Sequence, residues 1–309
     1  MTQRVGIIGI GWVGASVAMA TLQAGAADEL LLADAREGLA EGEAMDLAHG
    51  ASFYPRARVR AASVAEMRRC DAVVVAAGRG GKPGESRLAL LQDNAALVRG
   101  IGRELVGGAE GFGGCIVMVT NPVDVLTQVM AEATGLPAAR VIGTGTMLDT
   151  ARLRQALGQA LHIDLRSIHA QVVGEHGDSQ VPLWSHAQVG GVPLRDWPGW
   201  SHEREAALAL QVRRAAYEII QRKGATNHAI GVVTANLLRA LLHDERRVLT
   251  VSRLQQGAAG VDGTALSLPA VVGAGGAVEV MAPAMDEAER VALAHSAETL
   301  RQAFASVSP

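Results

Sequence analysis

Cysteine is scarce, long apolar runs are missing, and neither sign of charge dominates. The two cysteines among 309 residues, Cys70 and Cys115, lie beside or within expected buried strands and have no ligand spacing. That argues against a disulfide framework and against a Cys/His metal centre, and leaves two inert thiols. No apolar run reaches the ~18 residues of a membrane span. Thr2-Gln3-Arg4 leads straight into a buried-strand pattern, without a charged head and cleavage site, so a cytoplasmic location is expected. A net charge of −3 offers no electrostatic footprint for nucleic acid. Lysine occurs only at Lys82 and Lys223, the other basic residues being arginine, and this skew marks no binding patch. Internal repeats and low-complexity tracts are also missing.

What is present is a βα alternation long enough for two domains, because single cores stop growing at about 250–300 residues. Residues Arg4 to Ile8 form an apolar strand that turns through Gly9-Ile10-Gly11-Trp12-Val13-Gly14 into a helix expected over Ala15 to Ala24. In this G-x-G-x-x-G spacing Gly9 permits the tight turn, Gly11 lets backbone approach a pyrophosphate, and Gly14 allows close helix–strand packing. The helix N-terminus offers free N–H groups to phosphate. A second strand, Glu29 to Ala33, ends in Asp34, an acid suited to the ribose hydroxyls of NAD and repulsive to the 2′-phosphate of NADP. Near-continuous apolar strands at Ala72–Ala76 and Cys115–Val119 imply a parallel sheet covered on both faces. The expected fold is therefore α/β: a Rossmann-type doubly wound parallel sheet over residues 1–142, followed by a mixed α+β substrate domain over 143–309. Ligands of such sheets bind beyond the carboxyl ends of the strands.

Two loops leave those ends. Gly78-Arg79-Gly80-Gly81-Lys82-Pro83-Gly84-Glu85-Ser86-Arg87 combines four glycines with cations ahead of a helix expected over Leu88–Val106, a composition suited to a lid over an anionic substrate. Thr120-Asn121-Pro122-Val123-Asp124 presents Asn121 directly after a buried strand, with Pro122 expected to open the next helix. Further on, Asp149 and Arg152 are spaced to share a helix face, which locally reads as a surface ion pair. His176, in Gly174-Glu175-His176-Gly177-Asp178-Ser179, has a side chain whose unperturbed pKa suits proton transfer near neutrality. The second half then reads as helices over His202–Lys223 and Ile230–Leu242, strands over Arg247–Ser252 and Leu268–Val272, and a last helix capped by Asp286.

Taken in order, G-I-G-W-V-G, K-P-G-E-S-R, T-N-P-V-D, M-L-D-T-A-R and G-E-H-G-D-S resemble the motifs of the L-lactate/malate dehydrogenase family along essentially the whole chain. The resemblance implies NAD-dependent hydride transfer at C2 of an L-2-hydroxy acid, with His176 as general acid/base and Asp149 orienting it. It implies that Arg152 grips the substrate carboxylate, Arg87 polarises the C2 oxygen, and Asn121 bonds substrate or cofactor, and it replaces the surface-pair reading of Asp149. Arg154 and His169 fall where bacterial members that respond to fructose 1,6-bisphosphate carry basic residues at a subunit interface, which implies a homo-oligomer, dimer or tetramer. Substrate identity is left open by Gly81, where lactate enzymes of the family tend to carry Gln and malate enzymes Arg. Glu85, Val123 and Thr226 lean toward lactate; Arg79 or Lys82 as a substitute cation would allow malate, and the volume freed at Gly81 a bulkier 2-hydroxy acid. A non-catalytic NAD-binding protein is the competing class, and the complete set of His176, Asp149, Arg152 and Arg87 argues against it.

Overall fold

A computed structural model describes residues 2–80, 86–109 and 111–307. In chain order the first half runs β1 (Arg4–Ile8), α1 (Trp12–Gln23), β2 (Glu29–Ala33), α2 (Glu37–His49), β3 (Arg58–Ala61), β4 (Ala72–Val75), α3 (Arg87–Val106), β5 (Cys115–Met118), α4 (Val123–Thr134) and β6 (Val141–Gly143). Then come α5 (Met147–Leu161) and the two-residue strands β7 (Ile168–His169), β8 (Val172–Val173), β9 (Val181–Pro182), β10 (Gln188–Val189) and β11 (Val192–Pro193). The chain continues through α6 (His202–Lys223), α7 (His228–Leu242), β12 (Arg247–Gln256), β13 (Asp262–Gly273) and β14 (Gly276–Val280), and α8 (Glu287–Ala305) follows.

Strands β4 and β5 are buried at every residue, and β1 and β2 at all but the first. Continuous apolar strands of this kind need cover on both faces, and the helices supply it. On one face α3, α4 and α8 contribute Val98, Leu105, Leu126, Met130 and Leu293. On the other α1 and α7 contribute Val17, Leu22, Leu237 and Leu238. A third cluster packs α5 against α6 through Leu153, Leu157, Leu208 and Val212, beside Trp184. Truncating one of the fully buried leucines to alanine would cost about 2–5 kcal/mol.

The large sheet has the order β14-β13-β12-β6-β5-β4-β1-β2-β3. Strands β1 to β6 are parallel to their neighbours among themselves, whereas β12, β13 and β14 join antiparallel at the β6 edge. The second half thus extends the same sheet, which local patterning does not reveal because the β6–β12 pairing spans more than a hundred residues of chain. The strand expected at Leu268–Val272 lies in the second half of the longer β13, and β14 was not anticipated. The order in which strands are added reverses at β1, which pairs in parallel with β2 on one side and β4 on the other. The glycine turn after β1, the segment after β4 and the Asn121 turn after β5 all leave from this carboxyl edge. Gly81, Lys82 and Glu85 lie outside the described residues.

Four helix starts differ from expectation, those of α3 and α7 by only one and two residues. Helix α1 begins at Trp12, three residues early, since Trp12, Val13 and Gly14 of the glycine turn already take helical backbone after the N-cap Gly11. Pro122 precedes the first turn of α4, its ψ of 114° being extended. Asp286 caps α8 as expected: its carboxylate accepts the Glu289 N–H while Glu289 returns a bond to the Asp286 amide.

Candidate active site

The glycine turn leaves a cradle for a dinucleotide. Gly9 has φ +92°, and a Cβ there would stand 2.4 Å from the Ala77 nitrogen; at Gly14 one would stand 1.9 Å from the Gly9 oxygen. At Gly11 a Cβ would meet nothing within 4 Å. The first two glycines are therefore internal packing requirements, while the third borders open space at the start of α1. Helix α1 has no side-chain cap and no acid in its first turn, so its N–H groups face that space uncompensated. Asp34, at the end of β2, accepts the Ile10 N–H at 2.9 Å and the Arg36 N–H at 3.0 Å. Burial opposes its ionisation, but these amides and Arg36 outweigh it and hold the carboxyl below its ordinary value. The residues fit the phosphates and ribose of a nicotinamide dinucleotide.

A cleft of about 490 Å³ opens beside this edge, lined by Arg87, Asn121, Asp149, Arg152 and His176. The first two turns of α5 carry Asp149 and Arg152. Asp149 Oδ2 lies 2.5 Å from His176 Nδ1, and Arg152 Nη1 donates to Asp149 Oδ1 at 3.0 Å. Asp149 is 3% exposed, so the pair with Arg152 is internal and not the surface pair that spacing alone suggests. For Asp149, burial raises the pKa, but His176 and Arg152 outweigh it and the carboxyl lies below its usual value. For His176, burial disfavours the charged ring, yet the charge and hydrogen bond of Asp149, aided by Asp124, raise it above its ordinary value. The ring is thus biased toward the protonated state, with Nδ1 committed to Asp149 and Nε2 left for chemistry.

The loop carrying His176 is tied down by its backbone. The amides of Gly174, Glu175 and His176 donate in turn to the Ser267 carbonyl at 2.9 Å, Ser296 Oγ at 2.8 Å and Asp124 Oδ2 at 2.7 Å. Asn121 Oδ1 accepts the Val123 amide at 3.3 Å at the foot of α4. Arg87, the first residue of α3, makes no ion pair among the described residues.

Not every expected residue gathers here. Thr226 lines an adjoining cleft of about 1060 Å³ that shares Arg152 and also contains Arg154. Arg154 Nε donates to the Ala170 carbonyl at 3.0 Å, next to His169, which is exposed on β7. Arg79 pairs with Asp93 of α3 and is not among the residues lining the His176 cleft. Sequence reasoning missed Asp124 as a partner of His176, and Arg213 and Tyr217 of α6 on the cleft wall. A helix face more than thirty residues beyond His176 carries no local signal of what it will cover. Both cysteines are buried, with thiols pushed up by burial to about 12 for Cys70 and about 11 for Cys115.

A dinucleotide cradle beside a carboxylate-oriented histidine and an internal arginine defines an oxidoreductase that couples hydride and proton transfer. Comparison with known proteins carries this further. Residues 3–143 match the lactate/malate dehydrogenase NAD binding domain, and residues 146–308 the lactate/malate dehydrogenase alpha/beta C-terminal domain. The chain belongs to the lactate/malate dehydrogenase family, and its cofactor is NAD. It is 43% identical over 302 residues to a protein of Synechococcus sp. (strain JA-3-3Ab) named L-lactate dehydrogenase, covering 97% of this chain and 98% of the relative. An L-lactate dehydrogenase of Salinibacter ruber is 44% identical, covering 100% and 99%. The crystal structure of a minor L-lactate dehydrogenase from Enterococcus mundtii in a ligand-bound form superposes with a TM-score of 0.96 at 38% identity, covering 99% of both chains. No helix among the described residues is long and apolar enough to cross a membrane.

Proposed function

We propose that the protein interconverts pyruvate and L-lactate, and the observation that carries this is the chain Arg152–Asp149–His176 inside a cleft whose remaining wall includes Leu90, Leu91, Ala216 and Ile220. When bound at the glycine turn, the dinucleotide supplies hydride as NADH or takes it up as NAD⁺. Arg152 presents a planar fork to the substrate carboxylate. Arg87 and Asn121 border the C2 oxygen, where positive charge and N–H donors favour the charge that develops as hydride reaches C2. His176 Nε2 gives that oxygen its proton; Asp149 stabilises the imidazolium beforehand and fixes the tautomer afterwards. In lactate oxidation the same nitrogen receives the hydroxyl proton.

The apolar wall suits a methyl group at C3, and relatives across the full length carry the lactate name. A second reading, malate and oxaloacetate, is favoured by Arg213, a cation on the same cleft with no ion pair among the described residues, which would meet a second carboxylate. We also place the domain boundary near residue 142. The chain is read as a homo-oligomer, dimer or tetramer, supported by exposed Met45, Phe53, Val232 and Val248, apolar surface that a partner copy would cover. Fructose 1,6-bisphosphate is a candidate activator because Arg154 and His169 are neighbours through the Ala170 carbonyl. The test is NADH oxidation followed by absorbance with pyruvate, oxaloacetate and 2-oxoisocaproate, with and without fructose 1,6-bisphosphate. Pyruvate should have the highest kcat/KM. His176→Ala should lose roughly 10²–10⁴-fold in turnover while NADH still binds. Preference for oxaloacetate would favour the Arg213 reading, and no turnover by the NADH-bound protein would overturn both.

A further inference from the structure

From the NAD site alone, whatever the 2-oxo acid, we infer that Arg36 adds a subsite for a 2′-phosphate to the nucleotide cradle, so that the protein binds NADPH as well as NADH. An acid at the end of β2 favours NAD when its oxygens are free for the ribose hydroxyls and its charge stands unopposed against a 2′-phosphate. Asp34 is in neither condition. Its Oδ2 accepts the Ile10 amide at 2.9 Å, and its Oδ1 accepts both the Arg36 amide at 3.0 Å and Arg36 Nε at 3.4 Å. Two amides and a guanidinium already answer its charge, and the cation is far the more accessible partner: the Arg36 side chain is 72% exposed and that of Asp34 12%. A phosphate approaching from solvent therefore meets the arginine ahead of the carboxylate.

The guanidinium is held at one edge only. Nε leans on Asp34, while Nη1 and Nη2 have no partner among the described residues. That leaves the outer side of a planar fork, the geometry that matches phosphate oxygens, and Asp34 orients the arginine without using it up. The backbone adds to the same spot. Arg36 is the N-cap residue of α2, and this helix has no side-chain cap, so the amides of its first turn emerge beside the guanidinium. A Cβ built on Gly38, in that turn, would meet nothing within 4 Å, so the space beside them is open. Free guanidinium donors and uncapped amides meet directly after the acid that faces the ribose. NADH has only hydroxyls on that ribose and no need of them; a 2′-phosphate would use both.

Fluorescence titrations with NADH and with NADPH measure both dissociation constants without turnover, and NADPH should displace NADH competitively. Arg36→Gln keeps a polar side chain of similar reach and removes the charge and the fork. It should raise the Kd for NADPH by about 10–10²-fold, the effect of losing a charge-assisted hydrogen bond, and change the Kd for NADH far less, so the ratio of the two constants is the readout. Added salt screens an exposed phosphate–guanidinium pair, and should widen that ratio in the wild type more than in the variant. Failure of NADPH to displace NADH, or a ratio that is the same in wild type and Arg36→Gln at every salt concentration, overturns the inference. An Arg36-dependent affinity for NADPH in a protein that turns over no 2-oxo acid would uphold the inference and sink the proposed reaction.

Discussion

Replacing Asp149 by asparagine tests the centre of the site. The substitution keeps size and an oxygen that can accept His176 Nδ1–H, and removes the charge 2.5 Å from the ring. An opposite charge at such range shifts a pKa by about 1–3 units, or roughly 1.4–4 kcal/mol of imidazolium stabilisation. The pH at which pyruvate reduction declines should fall by that amount, and at pH 8 kcat/KM should drop by roughly 10–10³-fold. Because the equilibrium constant and cofactor binding are unaltered, lactate oxidation at the same pH must lose the same factor. Arg152 also loses its tether at 3.0 Å, so KM for pyruvate should rise. Stability gives a second readout. The depressed Asp149 carboxyl stabilises the fold above the ordinary carboxylate range and loses this as pH falls through its folded pKa; the raised His176 stabilises below its unfolded value of about 6.5 and loses this as pH rises through its folded pKa. The Tm difference between wild type and variant should therefore peak between about pH 4 and 6.5 and shrink on either side. The assay is NADH absorbance from pH 5 to 9 with thermal melts over a wider range. A variant that keeps the wild-type pH midpoint while losing only kcat would refute the assignment of Asp149 as the group that sets the proton affinity of His176.

Three further outcomes are expected. Arg152→Lys keeps the charge but loses the fork, and should cost about 10–10²-fold in pyruvate kcat/KM, the equivalent of about 1.5–3 kcal/mol for a charge-assisted bond; an unchanged KM would remove Arg152 from the substrate. Gly11→Ala should fold with an unaltered Tm yet bind NADH more weakly, since its methyl enters only open space, whereas Gly14→Ala should lower Tm because its methyl meets the Gly9 oxygen at 1.9 Å; calorimetry and NADH fluorescence separate the two. Native protein should react slowly with thiol reagents at pH 8 and rapidly once unfolded, because burial holds both cysteine thiols at about 11 or above; prompt labelling of the native state would show one of them to be accessible.

Local chemistry accounts for much of this molecule. The glycine spacing, the acid ending β2 and the all-apolar strands β4 and β5 each state their own role, because turn geometry, helix ends and burial on two faces act over a few residues. The histidine and its motif were legible in the same way. Asp149 and Arg152 show the limit: spacing puts them on one helix face, but only packing of α5 against the histidine loop turns a solvated pair into a buried chain ending at Nδ1. Asp124 shows it again, since nothing in Thr120-Asn121-Pro122-Val123-Asp124 reveals that its carboxylate meets an amide fifty-two residues later. The antiparallel extension by β12, β13 and β14, the placement of Thr226 in a neighbouring cleft, and the arrival of Arg213 and Tyr217 on the cleft wall were decided by tertiary structure alone. Hydrophobic patterning dictates which face of an element is buried, but which other element buries it depends on contacts far apart in the chain.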